Sequence, residues 1–420
     1  MLKKILILFI LYTYLFRLEL VIYPVSVAVL YGMLGFLLFL FTAGYRTKVS
    51  KLYPSGFPNY LNFIKLGTPI LIVALLTGFV NFNSDWYFVK YFFSIVLTYF
   101  FSYAVTFLFY RTYGEITVEK ILKYIIICNF IYLGLSLIML VIPSIGSLLF
   151  SLMKFDEAQE AALIKSEGVR LHAFGISYFN GGVIQGFICL FLALYVSFIE
   201  KSKHKQYFII CCMCVFALMG LFIARTSMVG SGLGFLVLAI FYIRKHLKTF
   251  ISILSIVGIL VMIVLHSDIP FLKQYEDMFN WAFELFINYG ESGEATTTSL
   301  YYMTAMYDII PDNIKTWIIG DARWLGVNGE GFYMGTDIGM FRYIWYFGII
   351  GLIVMLSYNY KYLKLFFCGR LLNNNSRFFI VFLFLYLTIL LFKGAADLLY
   401  LCSLFYFCSS LYTNKIRKSV

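Results

Sequence analysis

Residues 121–142 read ILKYIIICNFIYLGLSLIMLVI, a run in which Lys123 is the one charged residue. As a helix rising 1.5 Å per residue it reaches about 33 Å, enough to cross the hydrocarbon core of a bilayer. Backbone polar groups find no water there, so only helices and closed barrels span it. The strict apolar–polar alternation of a membrane barrel is missing from this run and from the rest of the chain.

Runs of the same kind recur on both sides. The expected spans are Ile5–Phe16, Val21–Phe41, Phe63–Val80, Tyr87–Tyr110, Ile121–Ile142, Val183–Ile199, Tyr207–Ala224, Ser227–Ile243, Phe250–Leu265, Ile338–Tyr358, Phe378–Phe392 and Leu398–Tyr412. Composition agrees: 62% of the 420 residues are hydrophobic and 13% charged, with a mean hydropathy of +0.87. A soluble chain this long needs far more charge to cover its surface. The expected fold is therefore an all-α polytopic membrane protein of about 12 transmembrane helices, with residues 1–420 forming a single integral membrane domain. Met1–Lys4 followed by an apolar run resembles a signal peptide, but no small-residue cleavage site precedes Arg17 and Glu19, so the segment reads as a retained first helix.

Charge sets the expected orientation. Under twelve spans both termini share a side, and 22 of the 33 Lys and Arg fall on it. Of the 21 acidic residues only Glu115, Glu119 and Glu200 lie there. The positive-inside rule puts that side in the cytoplasm. The net charge of +12 thus reports topology rather than a nucleic-acid partner.

Two outward segments are too long for simple turns, 143–182 and the larger 266–337 between spans 9 and 10. The first suggests an interfacial helix over Phe150–Lys165. The second suggests a surface helix over Phe271–Tyr289, another over Ser299–Ile310, and a glycine-rich stretch from Gly320 to Gly339. None of the 8 cysteines lies in either segment, so they read as packing residues rather than a disulfide framework. No metal site or cofactor motif is expected: there is no phosphate loop ending in Lys-Ser/Thr, no Asp-x-Asp pair and no His-x-x-x-His pair.

Arginine at the edge of an apolar span is costly, by roughly 2.5–3.5 kcal/mol at membrane depth, so its outer placements are informative. Arg225 sits in the short turn Ala224-Arg225-Thr226-Ser227. It reads as an anion ligand, since guanidinium forks onto phosphate oxygens, or as an arginine snorkelling to headgroups. Arg170 precedes a span in Arg170-Leu171-His172-Ala173-Phe174-Gly175, where His172 is a candidate base or a plain loop histidine. Asp337 opens the tenth span and Arg342 lies more than a turn inside it. Asp337 is either an N-cap or a functional acid, and Arg342 needs a partner or an aqueous cavity. All five tryptophans, Trp86, Trp281, Trp317, Trp324 and Trp345, fall on the outward side, as a one-sided aromatic platform for sugar rings would, or because the long loop holds most extramembrane residues.

Together these features resemble the O-antigen polymerase (Wzy-type) family, which is similar to the O-antigen ligases. Arg170 with Phe174-Gly175 and Asn180 looks like the family's arginine–glycine–asparagine segment. Arg225 beside Thr226 and Ser227 looks like its arginine next to a hydroxyl residue. Gly320 to Gly331, Asp337-Ile338-Gly339, Arg342 and Phe347-Gly348-Ile349-Ile350-Gly351 look like its last-loop exit.

The resemblance, which spans about Arg170 to Leu352, implies an architecture similar to the GT-C type lipid-linked glycosyltransferases. It implies a metal-independent polymerase of lipid-linked repeat units in O-antigen or capsule biosynthesis, on the outer face of a bacterial cytoplasmic membrane. Donor and acceptor would both be glycans on undecaprenyl diphosphate. A chain-length regulator and a flippase of the same pathway are the expected partners, with no nucleic acid. Arg170, Arg225 and Arg342 would steady the leaving diphosphate, with His172, Glu330 or Asp337 as general base. Trp281, Trp317, Trp324, Tyr333 and Glu330 would contact the glycan. The alternatives are an O-antigen ligase or a glycan flippase. Ligases carry a histidine in the late loop and Ser267–Asp337 has none, which favours the polymerase.

Overall fold

The computed structural model describes residues 2–23, 25–50, 57–83, 85–155, 163, 166, 168–242, 255, 273–326, 331–367 and 375–408. Among these the regular structure is helical, with no strand and only isolated bridge residues, among them the antiparallel pair Leu325 and Phe332.

The helices are α1 Leu2–Phe16, α2 Val27–Phe41, α3 Ala43–Ser50, α4 Leu61–Val80, α5 Tyr87–Tyr113, α6 Val118–Val141, α7 Pro143–Leu152, α8 Tyr178–Phe198, α9 Lys203–Ile223 and α10 Ser227–Phe241. They continue with α11 Glu276–Ser292, α12 Thr298–Tyr307, α13 Ile314–Ile318, α14 Gly339–Phe367, α15 Asn375–Leu391 and α16 Leu399–Tyr406. Six of the described helices are long and apolar enough to cross a membrane: α4, α5, α6, α8, α9 and α14. Four shorter apolar stretches lie in α2, α7, α10 and α15. This is the pattern of a polytopic membrane protein. The expected ninth span, Phe250–Leu265, lies outside the described residues but for Ser255, and so does the end of the twelfth beyond Cys408.

Helix limits follow local chemistry. α5 stops at Gly114, whose left-handed backbone (φ 71°) returns its N–H to the Tyr110 carbonyl. α6 opens on Thr117, whose hydroxyl accepts from the Lys120 N–H at 3.2 Å. The run quoted at the outset lies in this helix. α7 starts with Pro143 in its first turn and ends at Leu152; the expected interfacial helix over Phe150–Lys165 lies for the most part outside the described residues.

The chain divides into two compact units, residues 1–128 with 303–420, and residues 129–302. In the first, α5 packs on α2 and α4 through glycines. A Cβ on Gly35 would lie 1.9 Å from the Phe100 carbonyl oxygen, so only glycine permits the crossing. At its centre the Tyr14 hydroxyl meets the Ser102 and Ser403 hydroxyls, each at 2.8 Å, which satisfies three polar groups deep in apolar surroundings. α16 is short and buried along its whole length.

In the second unit α8 is the core helix. It is packed on α10 at Gly186 and Gly230, where a Cβ on Gly230 would fall 2.3 Å from Gly186 backbone. Gly182 and Gly234 lie four residues from these on the respective helices, which gives each face the small-x-x-x-small spacing of closely crossing membrane helices. Asn129 and Gln185 exchange amide hydrogen bonds of 2.7 and 3.1 Å, both fully buried.

α14 is interrupted. Gly348 takes φ 69° and ψ −169°, so Gly339–Phe347 and Ile349–Phe367 are separate helical pieces. The break is filled by the chain between α13 and α14. Asp321 and Ala322 N–H groups donate to the Trp345 and Tyr346 carbonyls at 2.7 and 3.1 Å. Asn81 donates to the Gly320 carbonyl and Asn83 to those of Asp321 and Ala322, at 3.0–3.3 Å. Backbone groups freed inside a membrane protein need such partners.

Candidate functional site

In the unit 129–302 the sequence brings two of the expected arginines onto one ring. The Arg170 guanidinium carbon lies 4.6 Å from the Trp281 ring centroid and that of Arg225 lies 4.8 Å from it. The positions are fixed locally. Arg170 precedes Leu171, whose N–H donates to the Phe222 carbonyl at the end of α9 at 2.9 Å. Arg225 occupies the tight turn between α9 and α10. Trp281 is presented by α11, which docks on the end of α9 with Phe279 and Phe283 against Phe222.

The Arg225 side chain is 8% exposed and forms an ion pair with Glu284 on α11. Its other terminal nitrogen donates to the Ser299 hydroxyl at 3.3 Å. Glu284 in turn accepts from the Thr298 N–H and hydroxyl, both at 2.6 Å, and so closes the first turn of α12. Burial pushes the Glu284 carboxyl up, but the Thr298 hydrogen bonds and Arg225 outweigh it and hold the group below its usual range. Burial and the neighbouring Arg225 charge lower Arg170. Among the described residues Glu284 is the one carboxylate paired with these two cations.

His172 lies beside the same segment, its ring 5.9 Å from both Phe150 and Tyr178. Tyr178, 5.9 Å from the Arg170 guanidinium carbon, starts α8 with φ 56°, a strained value for a residue other than glycine.

The other site residues belong to the unit containing 303–420. The Arg342 guanidinium is held between two aromatic faces, 3.8 Å from the Trp324 centroid and 3.5 Å from that of Phe332. Its Nε is buried without a hydrogen-bond partner. Trp324 is buried at 5% exposure and stacks on Tyr87 at 4.8 Å. Asp337 lies just ahead of α14, where the Thr336 hydroxyl accepts from the Ile338 N–H at 3.3 Å. Asp337 lies exposed at the start of this helix, where the nearby protein mass raises its carboxyl against the pull of Arg342 and Lys393.

Trp317 donates from its indole to the Pro311 carbonyl at 2.8 Å and packs on the Ile338–Trp345 cluster. The Tyr333 hydroxyl donates to Asp321 at 3.3 Å and its ring meets Trp345. Glu330 lies outside the described residues. No group of three or more His, Cys, Asp or Glu among the described residues is arranged to hold a metal ion.

Sequence reasoning missed Glu284, the partner of its sharpest arginine. The signal was weak: one acid on an amphipathic surface helix reads as a solvated charge. It also missed Asp397, a carboxylate between two apolar segments. Asp397 accepts from the Tyr91 hydroxyl at 2.8 Å and the Leu399 N–H at 2.7 Å.

Chemically, the Arg170–Arg225 cluster is a cation-rich, aromatic-backed group that suits a polyanion, and the Arg342 cluster is a stacked guanidinium with donor capacity to spare. Searches against family models, curated proteins and solved structures give no match to this chain.

Proposed function

We propose that this chain is a polymerase of lipid-linked oligosaccharide repeat units, working on the outward face of a bacterial cytoplasmic membrane with both termini in the cytoplasm. The growing glycan passes from undecaprenyl diphosphate to a sugar hydroxyl of another lipid-linked repeat unit. The hydroxyl oxygen bonds to the anomeric carbon as its proton passes to a general base, for which His172, Glu330 and Asp337 are the candidates. The bond from that carbon to the diphosphate oxygen breaks, and lipid diphosphate leaves with the electron pair. Negative charge builds on the leaving group, and preorganised cations stabilise it most where it builds.

The observation that carries this reading is the pair Arg170 and Arg225 against one indole, with Glu284 as the one described carboxylate paired there. That excess of positive charge sits beside the ends of apolar helices, where a lipid diphosphate would lie. Charge-assisted hydrogen bonds of roughly 1.5–3 kcal/mol each make two such arginines a large fraction of the acceleration.

The break in α14 favours a second reading, a flippase, because transporters bind their cargo at interrupted helices. Here the freed Trp345 and Tyr346 carbonyls are already taken by Asp321 and Ala322. The polymerase reading is therefore preferred.

The test is made in the bacterial host. Arg170→Ala and Arg225→Ala should leave the protein in the membrane and single repeat units on the carrier in place of long chains. A ladder of normal length in both variants rules the mechanism out. Long polymer left unattached on the carrier identifies a ligase instead, and repeat units trapped on the cytoplasmic side identify a flippase.

A further inference from the structure

The unit containing residues 1–128 and 303–420 has a second polar centre that the diphosphate chemistry does not use. Asp397 lies between α15 and α16. Its carboxylate accepts from Tyr91 and from the Leu399 N–H, and the Tyr91 hydroxyl also lies 3.3 Å from that of Tyr358. Arg17, exposed at the end of α1 with φ 42°, rests its guanidinium 4.0 Å above the Tyr400 ring. A non-glycine residue in the left-handed region is strained, and such strain persists where the surroundings demand it. Tyr343 and Tyr87 lie within electrostatic reach of both Asp397 and Arg342. Two aromatic side chains connect the groups: Phe88 touches Tyr91 and Trp324, and Trp324 touches Tyr343 and Arg342.

The charge balance here differs from that around Trp281. Three cations, Arg17, Arg342 and Lys393, are matched by three carboxylates, Asp397, Asp337 and Asp85, the last accepting from the Trp324 N–H at 2.7 Å, so nothing selects a strongly charged ligand. What the cluster offers is hydroxyls and rings, from Tyr87, Tyr91, Tyr343 and Tyr400. It also offers Asp397, a half-buried residue, and the buried Arg342 Nε, which has no hydrogen-bond partner. A carboxylate accepts from vicinal hydroxyls, arginine and tyrosine donate to ring oxygens, and aromatic faces cover the apolar side of a pyranose. An ionisable group enclosed in an apolar helical bundle is in general functional.

We propose that Asp397, Tyr91, Arg17, Arg342 and Tyr343 form a site for an uncharged sugar residue. It rests on the reading that the chain handles a lipid-linked glycan, and assigns to this unit the recognition of the glycan rather than of the diphosphate. Asp397 is its hydroxyl acceptor, held in place by the Leu399 N–H, and Tyr91 is the hydroxyl that completes it.

The test uses the purified full chain in detergent with two probes: neutral oligosaccharides cut by mild acid from the host's own surface polysaccharide, and inorganic diphosphate. Tryptophan fluorescence follows both, since Trp324 lies in one cluster and Trp281 in the other. Asp397→Asn should weaken oligosaccharide binding at least tenfold and leave diphosphate binding unchanged, while Arg225→Ala should do the reverse. Tyr91→Phe, which keeps the ring, should weaken the oligosaccharide several-fold and keeps the test open if Asp397→Asn does not fold. Oligosaccharide binding of wild-type strength in both Asp397→Asn and Tyr91→Phe overturns the site, as does the absence of saturable oligosaccharide binding to the unaltered protein. In either event diphosphate binding that is lost in Arg225→Ala leaves the diphosphate reading standing.

Discussion

Arg170 and Arg225 share a single indole, with guanidinium carbons 4.6 and 4.8 Å from the Trp281 centroid. Two like charges converge there, and only Arg225 has a carboxylate partner among the described residues. The ring's negative face offsets part of their repulsion. Trp281→Ala removes both contacts. It should lower stability by about 2 kcal/mol, since each cation–π contact contributes about 0.5–2 kcal/mol. Long-chain product should fall at least tenfold. Trp281→Phe, with a smaller and weaker face, should recover part of both. Thermal unfolding in detergent and glycan gels of the two variants measure this.

Glu284 ties Arg225 to the start of α12, and its titration should be visible in stability. Its folded pKa lies below the ordinary value of 4.5. A depressed carboxylate contributes stability above its unfolded pKa and loses that contribution as pH falls through the folded value. The unaltered protein should therefore lose thermal stability as pH drops below 4.5. Glu284→Gln should already be less stable at neutral pH, with a shallower decline in acid. Equal pH slopes in the two proteins would show that the ion pair contributes nothing.

Gly348 is both left-handed and crowded, for a Cβ there would lie 2.2 Å from the Ile318 carbonyl carbon. Gly348→Ala adds the strain of a positive φ to a clash with backbone. It should cost more than about 2 kcal/mol and reduce the amount of folded protein recovered from membranes. Gly351→Ala is a poor control, since its Cβ would meet the Phe347 ring. Gly44→Ala, at a glycine with open space around it, should be silent.

The helices were readable wherever apolar runs stand between charged loops, as in α5, α6 and α9. Their ends shift by a few residues because caps such as Gly114 and Thr117 depend on φ and on one hydroxyl, not on hydropathy. Arg225 could be placed at a helix junction because the loop holding it is too short for any other arrangement. Its partner could not be found, since Glu284 is contributed by a helix 59 positions further along and pairing at that separation leaves no local pattern. The glycines of the α14 exit were visible as a motif, but not that Gly348 breaks the helix. Glycine at such a position means a bend, a close approach or both, and Ile318 decides it from elsewhere in the chain. Trp324 read as a platform exposed in a loop. The loop instead folds into the α14 break and buries it against Tyr87 and Arg342.

The interruption of α14 also bears on how the protein is made. A nascent segment is partitioned into lipid according to its own apolar length, before tertiary contacts exist. Ile349–Phe367 alone would extend roughly 28 Å as helix, enough to serve as the inserted segment. The piece before the break, with Arg342 on it, can therefore stay out of the partitioning decision. It can be folded back later, once Trp324 and Phe332 are there to receive its guanidinium.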